Sequence, residues 1–320
     1  MRAGLWCAVG GLAAIYAAVG LAGLLSPYDP AEQHRQYPLA PPQRPHFFDG
    51  QGRFHPRPFV YALEAAGDGY REANGNLYPL HFFRDGKLFG VAEPGTLFLL
   101  GTDVFGRDQL SRILHGGRVS LGAGLLATAL TLLLGLILGS AAGCYAGWPD
   151  SLLMRLADLF MALPWLYLLL GVRAFLPLSL DPAKTFLLII AVIGVLGWAR
   201  PARLFRGIVL SAKEREYVHA ARGFGASDWH IYRWHIAQEL HSTALTQAAL
   251  LVPQYILAEV TLSFLGLGAG EPSPSWGGML MQLRDASVLS THWWLALPAL
   301  ALLPVVAFYY AIAERSQISD

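Results

Sequence analysis

Long apolar stretches alternate with short polar ones along this chain of 320 residues. A bilayer core about 30 Å thick needs roughly 20 residues of apolar helix to cross it, and six stretches approach that length. Leu5–Leu25 and Val119–Gly147 carry no charged residue, whereas Leu152–Leu176 has Arg155 and Asp158 near one end and Arg173 near the other. Phe186–Ala199, extended through Arg200 to Leu210, is the fourth and has the shortest apolar core; Thr243–Gly268 and Trp293–Ala313 complete the set. The pattern predicts an all-α integral membrane protein with six transmembrane helices. Arg155 and Asp158, three residues apart, can pair on one helix face, and Arg173 can snorkel to the outer interface.

The first run is longer than the apolar part of a secretory signal, and no small-residue cleavage site precedes Ser26, so residues 1–25 are expected to remain as a transmembrane anchor. Residues 26–112 break the pattern. They are rich in proline and aromatic residues, as in PPQRPHFF and FHPRPFVYALEAAG. The prolines argue against long helices, and Leu77–Phe83 and Leu88–Ala92 suggest short strands. The segment thus reads as an elaborated loop or small domain. Its histidines His34, His46, His55 and His81 lack metal-ligand spacing. At its end, Thr102 or Asp103 can cap a helical turn or two over Asp108–His115, which Gly116-Gly117 interrupts before the second span starts near Val119.

Composition supports the membrane reading, because 54% hydrophobic and only 14% charged residues leave too little polar surface for a soluble globule of this size. The net charge of +1 says little, but its distribution is informative. Between Ala199 and His241 stand seven basic and four acidic residues, and lysines and arginines near span ends favour the cytoplasmic side. That loop is expected inside, both termini with it, and residues 26–112 outside. Cys7 and Cys144 fall in apolar runs, where a thiol behaves as a small apolar group. Gly122, Gly124, Gly135, Gly139, Ala142 and Gly143 let the second span approach other helices closely. There is no phosphate-binding glycine loop followed by Lys-Ser/Thr and no nucleophile–base constellation, so neither catalysis, a cofactor nor nucleic-acid binding is expected.

The most distinctive polar stretch is EYVHAARGFGASDWHIYRWHI, Glu216 to Ile236. Ala212–Phe224 reads as a helix with Ala220 and Ala221 as its small face, ended by Gly225, which tolerates positive φ. Ser227 suits the N-cap of a second short helix, with Asp228 in its first turn. Two short helices at a fixed bend form a rigid plug for a groove in another protein. A pair of helices lying on the membrane, anchored by Trp229, Tyr232 and Trp234, has the same chemistry.

Four blocks of the sequence, GTDVFGRDQLSRILHGGRVSLGAGL, DSLLMRLADLFMALP, EYVHAARGFGASDWHIYRWHI and AEVTLSFLGLGAGEPSPSWGGML, together span about 200 residues. In their order and wording they resemble the permeases of ABC-type importers for dipeptides, oligopeptides and nickel, most closely the second-subunit type. The resemblance implies the type I importer fold, with a permease core over 113–320 and a cytoplasmic coupling loop over 211–236. It implies a bacterial-type cytoplasmic (inner) membrane location, and as partners a second homologous permease subunit, two ATP-binding subunits and an extracytoplasmic substrate-binding protein. ATP hydrolysis would belong to those partners, and the cargo would be a di- or oligopeptide carried inward. The third block matches the family's EAA loop, which makes Glu216, His219, Ala220, Ala221, Gly225, Ser227 and Asp228 the expected ATPase-coupling residues. Two departures stand out: His219 occupies the place of a glutamate before the alanine pair, and Ala237-Gln238 replaces a closing Leu-Pro. Residues 26–100 are also longer than is usual in the family.

Glu259 lies inside the fifth run, where a charge at mid-bilayer costs roughly 2.5 to 3.5 kcal/mol. It must face protein or water, either as a helix–helix hydrogen-bonding group at a turn before Leu262–Gly268 or as part of the pathway or subunit interface. A nickel importer of the same family is the nearest rival on substrate. A secondary transporter, for which paired intramembrane carboxylates or an inverted repeat would be expected, and a membrane receptor or scaffold are the rivals from other classes.

Overall fold

The computed structural model describes residues 2–318 apart from positions 68, 85, 146, 165, 166, 168, 169 and 172–181. Arg173 and much of the expected third span lie outside the described residues. Four helical stretches there are long and apolar enough to cross a membrane: Gln109–Tyr145, Phe186–Lys213, Asp228–Phe264 and Trp293–Arg315. They correspond to the second, fourth, fifth and sixth runs of the sequence. The first run forms helix α1, Arg2–Gly20, which breaks at Leu21 and resumes for one turn as α2, Ala22–Leu25. The chain divides into two compact units, Met1–Val9 with Leu121–Glu259 and Val306–Asp320, and Gly10–Ser120 with Val260–Val305.

The first unit is helical. Within it run α3 (Gln109–Tyr145, from Leu121 onward), α4 (Gly147–Ala162), α5 (Pro182–Leu196), α6 (Ala199–Lys213), the short α7 (Glu216–Gly223) and α8 (Asp228–Ile231), and α9 (Ala237–Phe264) as far as Glu259. The glycines of α3 do what small residues do where no hydrophobic force joins helices in lipid. A Cβ at Gly139 would stand 2.4 Å from the Ala202 carbonyl oxygen, and one at Gly143 would stand 2.7 Å from Val209 Cβ. Gly135 meets Pro201 and Gly124 meets Ile256 in the same way, whereas Gly122 has open space. Polar bonds lock the contacts that these glycines permit. Thr131 donates to the Gly194 carbonyl at 2.8 Å and shares a 2.7 Å bond with the Tyr255 hydroxyl. Asp158 pairs with Arg203 of α6, and Asp150 takes a two-pronged bond from Arg206, with Nη2 at 2.6 Å from Oδ2. The Arg155–Asp158 pair expected within one helix is therefore replaced, for Asp158, by a pair between helices.

The second unit corrects the all-α expectation. It contains a four-stranded antiparallel sheet in the order β1 (His46–Phe48), β2 (Phe54–Ala66), β3 (Gly69–Arg84), β4 (Lys87–Val91). The strands are not all short, since β2 and β3 have 13 and 16 residues. Prolines survive because each sits where the ladder is interrupted or handed over. Pro56 and Pro58 fall between the paired positions Phe54 and Phe59, where the β1–β2 register shifts, and Pro79 is the last β3 residue paired to β2 before Leu80 takes Val91 of β4 as partner.

The same unit joins two of the sequence blocks that are far apart in the chain. Arg107 donates to Asp103 (2.7 Å) and to Glu271 (2.6 Å), and Arg112 reaches Glu271 (3.1 Å) and the Pro30 carbonyl (3.2 Å). Asp103, Arg107 and Arg112 are buried, and burying charges is tolerable when each is paired and hydrogen-bonded. Burial alone would push the Glu271 carboxyl up, but the two guanidiniums outweigh it and its pKa lies below the ordinary value. Neither Thr102 nor Asp103 caps α3. Asp108 does, accepting from the Ser111 N–H at 2.8 Å, while Asp103 closes its own tight turn by accepting from Phe105 and Arg107. Gly116-Gly117 does not interrupt the helix, which runs unbroken through them. Their missing side chains instead admit the buried Trp276, whose indole donates to the Ile113 carbonyl at 2.9 Å.

Candidate coupling surface

The polar stretch after α6 folds as a bent pair of helices whose ends are fixed by backbone geometry. The expected single helix Ala212–Phe224 is two: α6 stops at Lys213, Glu214 and Arg215 turn the chain, and α7 starts at Glu216 with that carboxylate in its first turn. Lys213, the last residue of α6, donates through Nζ to the Gly143 and Cys144 carbonyls at 3.1 and 2.8 Å and so satisfies acceptors at the end of α3. At the far end of α7 the Gly225 N–H bonds to the Arg222 carbonyl and the Ala226 N–H to the Ala221 carbonyl, the two bonds of a Schellman motif. Gly225 has φ +82°, a conformation that costs a residue with a side chain roughly 1–2 kcal/mol. Two residues later Ser227 caps α8, its hydroxyl accepting from the His230 N–H at 3.3 Å.

One face of this elbow is core. Val218 of α7, Ile231 of α8 and Ile236 pack with Phe205, Val209 and Ala212 of α6 and Leu240 of α9, all of them buried. Ala221 and Ala226 add to the same cluster from the bend. The alanine pair therefore divides: Ala221 turns inward, and Ala220 stays exposed beside the exposed His219. The opposite face carries a residue that the sequence reading passed over, Phe224, which is 93% exposed at the tip of the bend. An aromatic residue directly before the positive-φ glycine was the available signal. Asp228 is also exposed, with Arg222 3.7 Å away across the bend. Behind the elbow lies a cleft of about 380 Å³ lined by Ser140, Lys213, Arg222, Asp228, Trp229 and Tyr232 among others. Tyr232 crosses it to bond Ser140 at 3.0 Å.

The elbow continues into the span. Tyr232–Ile236 forms one π turn, closed by the Ala237 N–H on the Tyr232 carbonyl, and α9 follows without a break, so Asp228–Phe264 is a single helical rod of 37 residues. Gln238 stands where the family pattern would place a proline, and its N–H allows the helix to continue. Glu259 is fully buried inside α9, and the turn expected beside it comes later, at Leu265–Gly266. It lies about 45 Å along the rod from Asp228, at about 1.5 Å per residue, and is not part of the elbow.

Residues 120–317 match the family described as the binding-protein-dependent transport system inner membrane component. Among curated relatives, the probable D,D-dipeptide transport system permease protein of Escherichia coli K12 is 38% identical over 213 residues, covering 67% of this chain and 69% of that protein. The glutathione transport system permease protein of Pectobacterium atrosepticum is 36% identical over 227 residues, 71% of each. A di/tripeptide transport system permease protein of Pseudomonas aeruginosa is 37% identical over 234 residues, 70% of this chain and 73% of that protein. With its apolar spans and the matched stretch covering α3 from Ser120 through the last helix, this chain belongs to the binding-protein-dependent transport system inner membrane components.

Proposed function

We propose that this chain is one of two permease subunits of an ATP-driven importer for short peptides, and that the Glu216–Ile236 elbow is where the ATP-binding subunits grip it. The relatives named above supply the substrate class, since their names refer to dipeptides, di/tripeptides and glutathione. In this reading six spans cross the inner membrane with both termini cytoplasmic, a substrate-binding protein delivers cargo on the opposite side, and hydrolysis takes place in the partner subunits. The observation that carries the reading is the elbow itself, with an apolar underside locked into a core and an exposed upper face bearing His219, Ala220, Phe224 and Asp228.

A plug transmits force only if it does not deform. Here the underside is packed, both helix ends at the bend are hydrogen-bonded, and α8 continues into α9 through the π turn. Closure of the ATP-binding subunits would displace the elbow as a body, and the spans joined to it would rock between outward-open and inward-open arrangements. Phe224→Asp removes the apolar knob without touching the core, and Gly225→Val forbids the bend its backbone angle. Both variants are expected to insert normally and to lose co-purifying ATP-binding subunits and peptide uptake. Retention of both activities by the two variants would refute the elbow as the grip.

A further inference from the structure

The two turns at one end of the sheet form an aromatic and basic edge whose place along the spans can be read from contacts within the second unit. Arg118 of α3 donates to the last carbonyls of α1, Val19 at 2.9 Å and Gly20 at 2.7 Å, so that guanidinium is level with the end of the first membrane helix. One turn further out along α3 is His115, and Lys87 at the start of β4 lies within Coulombic reach of it. One turn beyond that is Ser111, whose hydroxyl accepts from Tyr28; the Tyr28 hydroxyl in turn accepts from Leu97, which packs with Leu80 of β3. Lys87 at the tip of the β3–β4 hairpin thus lies near His115, one turn of α3 from Arg118 and the end of α1, and β4 packs on α2 directly after that helix.

The residues at that tip are suited to the place. Phe82 and Phe83 are 52% and 79% exposed, and Phe83 has φ +53°, a left-handed conformation unfavourable for a bulky residue, which turns its ring outward. Arg84 and Lys87 flank the turn. In a β1-β2-β3-β4 meander the β1–β2 turn must fall at the same end, and it adds the exposed Phe48 and Phe54, whose rings are 5.4 Å apart, and Arg53. Among the described residues, Asp49 is engaged by the N–H groups of Gln51 and Arg53 and by His55, and Asp29, like Lys87, lies near His115. Exposed phenylalanine rings with lysine and arginine beside them suit the boundary of a bilayer, where the rings enter the edge of the acyl layer and the basic groups meet the lipid headgroups.

We propose that this edge of the sheet is a membrane anchor that sits in the phospholipid headgroups around the ends of the first two spans. The proposal rests on α1 and α3 being spans, as the proposed function requires. It is tested in the full chain with its partner permease, in a Cys7→Ser, Cys144→Ala background, by placing an environment-sensitive fluorophore on Phe83→Cys or Phe54→Cys and reconstituting into vesicles of phosphatidylethanolamine and phosphatidylglycerol. Nitroxide on the lipid headgroup is expected to quench both positions strongly and to leave Ala65→Cys, at the opposite end of the sheet, unquenched. Nitroxide deep in the acyl chains is expected to quench Leu133→Cys, an exposed position of α3, and failure there would overturn the spans and the anchor together. With Leu133→Cys quenched as expected, bright fluorescence at 83 and 54, or protection of those positions only when a substrate-binding protein is added, would overturn the anchor alone.

Discussion

Asp108 caps the helix that enters the second span, yet it is wholly buried, and the loss of water pushes its carboxyl from the usual range to about 7, against the pull of the Ser111 hydroxyl and backbone N–H. A raised carboxyl pKa means that the folded chain holds a proton which the unfolded chain has released. Its contribution to stability is complete below the unfolded value near 3.8, falls as pH rises, and is gone above about pH 7. Three pK units correspond to on the order of 4 kcal/mol. Thermal unfolding of the detergent-solubilised chain between pH 4.5 and 8 is expected to show the wild type losing stability across that window relative to Asp108→Asn. Parallel curves for the two proteins would mean that Asp108 is ionised throughout. At this scale the sequence was least informative. It marked the GTDVFGRDQLSR stretch, but which of Thr102, Asp103 and Asp108 caps the helix depends on where Arg107 and Arg112 find Glu271, 164 and 159 residues along the chain. Phe224 was likewise missed, because exposure at a bend is a property of packing on the other side.

At the scale of elements, the helices were legible and their joints were not. Apolar runs of span length located α3, α9 and the last helix, and the glycines of α3 announced a close contact before its partner, α6, was known. Gly116-Gly117 misled because the same residue type serves as breaker and as contact, and only Trp276 decides between the two. The strands were underestimated because only the apolar patches Leu77–Phe83 and Leu88–Ala92 suggested them, whereas the proline-bearing β2 pairs across a register shift that is not visible in a single strand. The contact between α3 and α6 has a direct test. In Gly139→Leu the new side chain meets the Ala202 backbone, which cannot yield as a side chain would, and overpacking of this kind costs about 1–3 kcal/mol. The variant is expected to melt several degrees lower in detergent, while Gly122→Leu, with open space at its Cβ, melts as the wild type does. Equal melting of both would mean that the two helices do not touch there.

For the whole molecule, the proposed orientation, with the elbow and both termini cytoplasmic, draws on charge asymmetry as its sequence signal. An alkaline phosphatase fusion ending at Gly67 is expected to be active, and one ending at Ser227 inactive; the reverse pattern would invert the topology and remove the elbow from reach of any ATP-binding subunit. The division of the chain also has a bearing on function. The family match begins at residue 120, so the sheet lies outside the matched stretch, and the elbow lies within it.

The π turn at Tyr232–Ile236 fixes the phase between α8 and α9. A helix advances about 100° per residue, and a π turn holds one residue more than the α ladder around it needs. Removing one residue there would let the ladder close as ordinary α-helix and would turn Asp228 and Trp229 of α8 around the rod axis by about 100° relative to α9. Tyr232–Ile236 is thus where the angular phase of α8 against α9 is set.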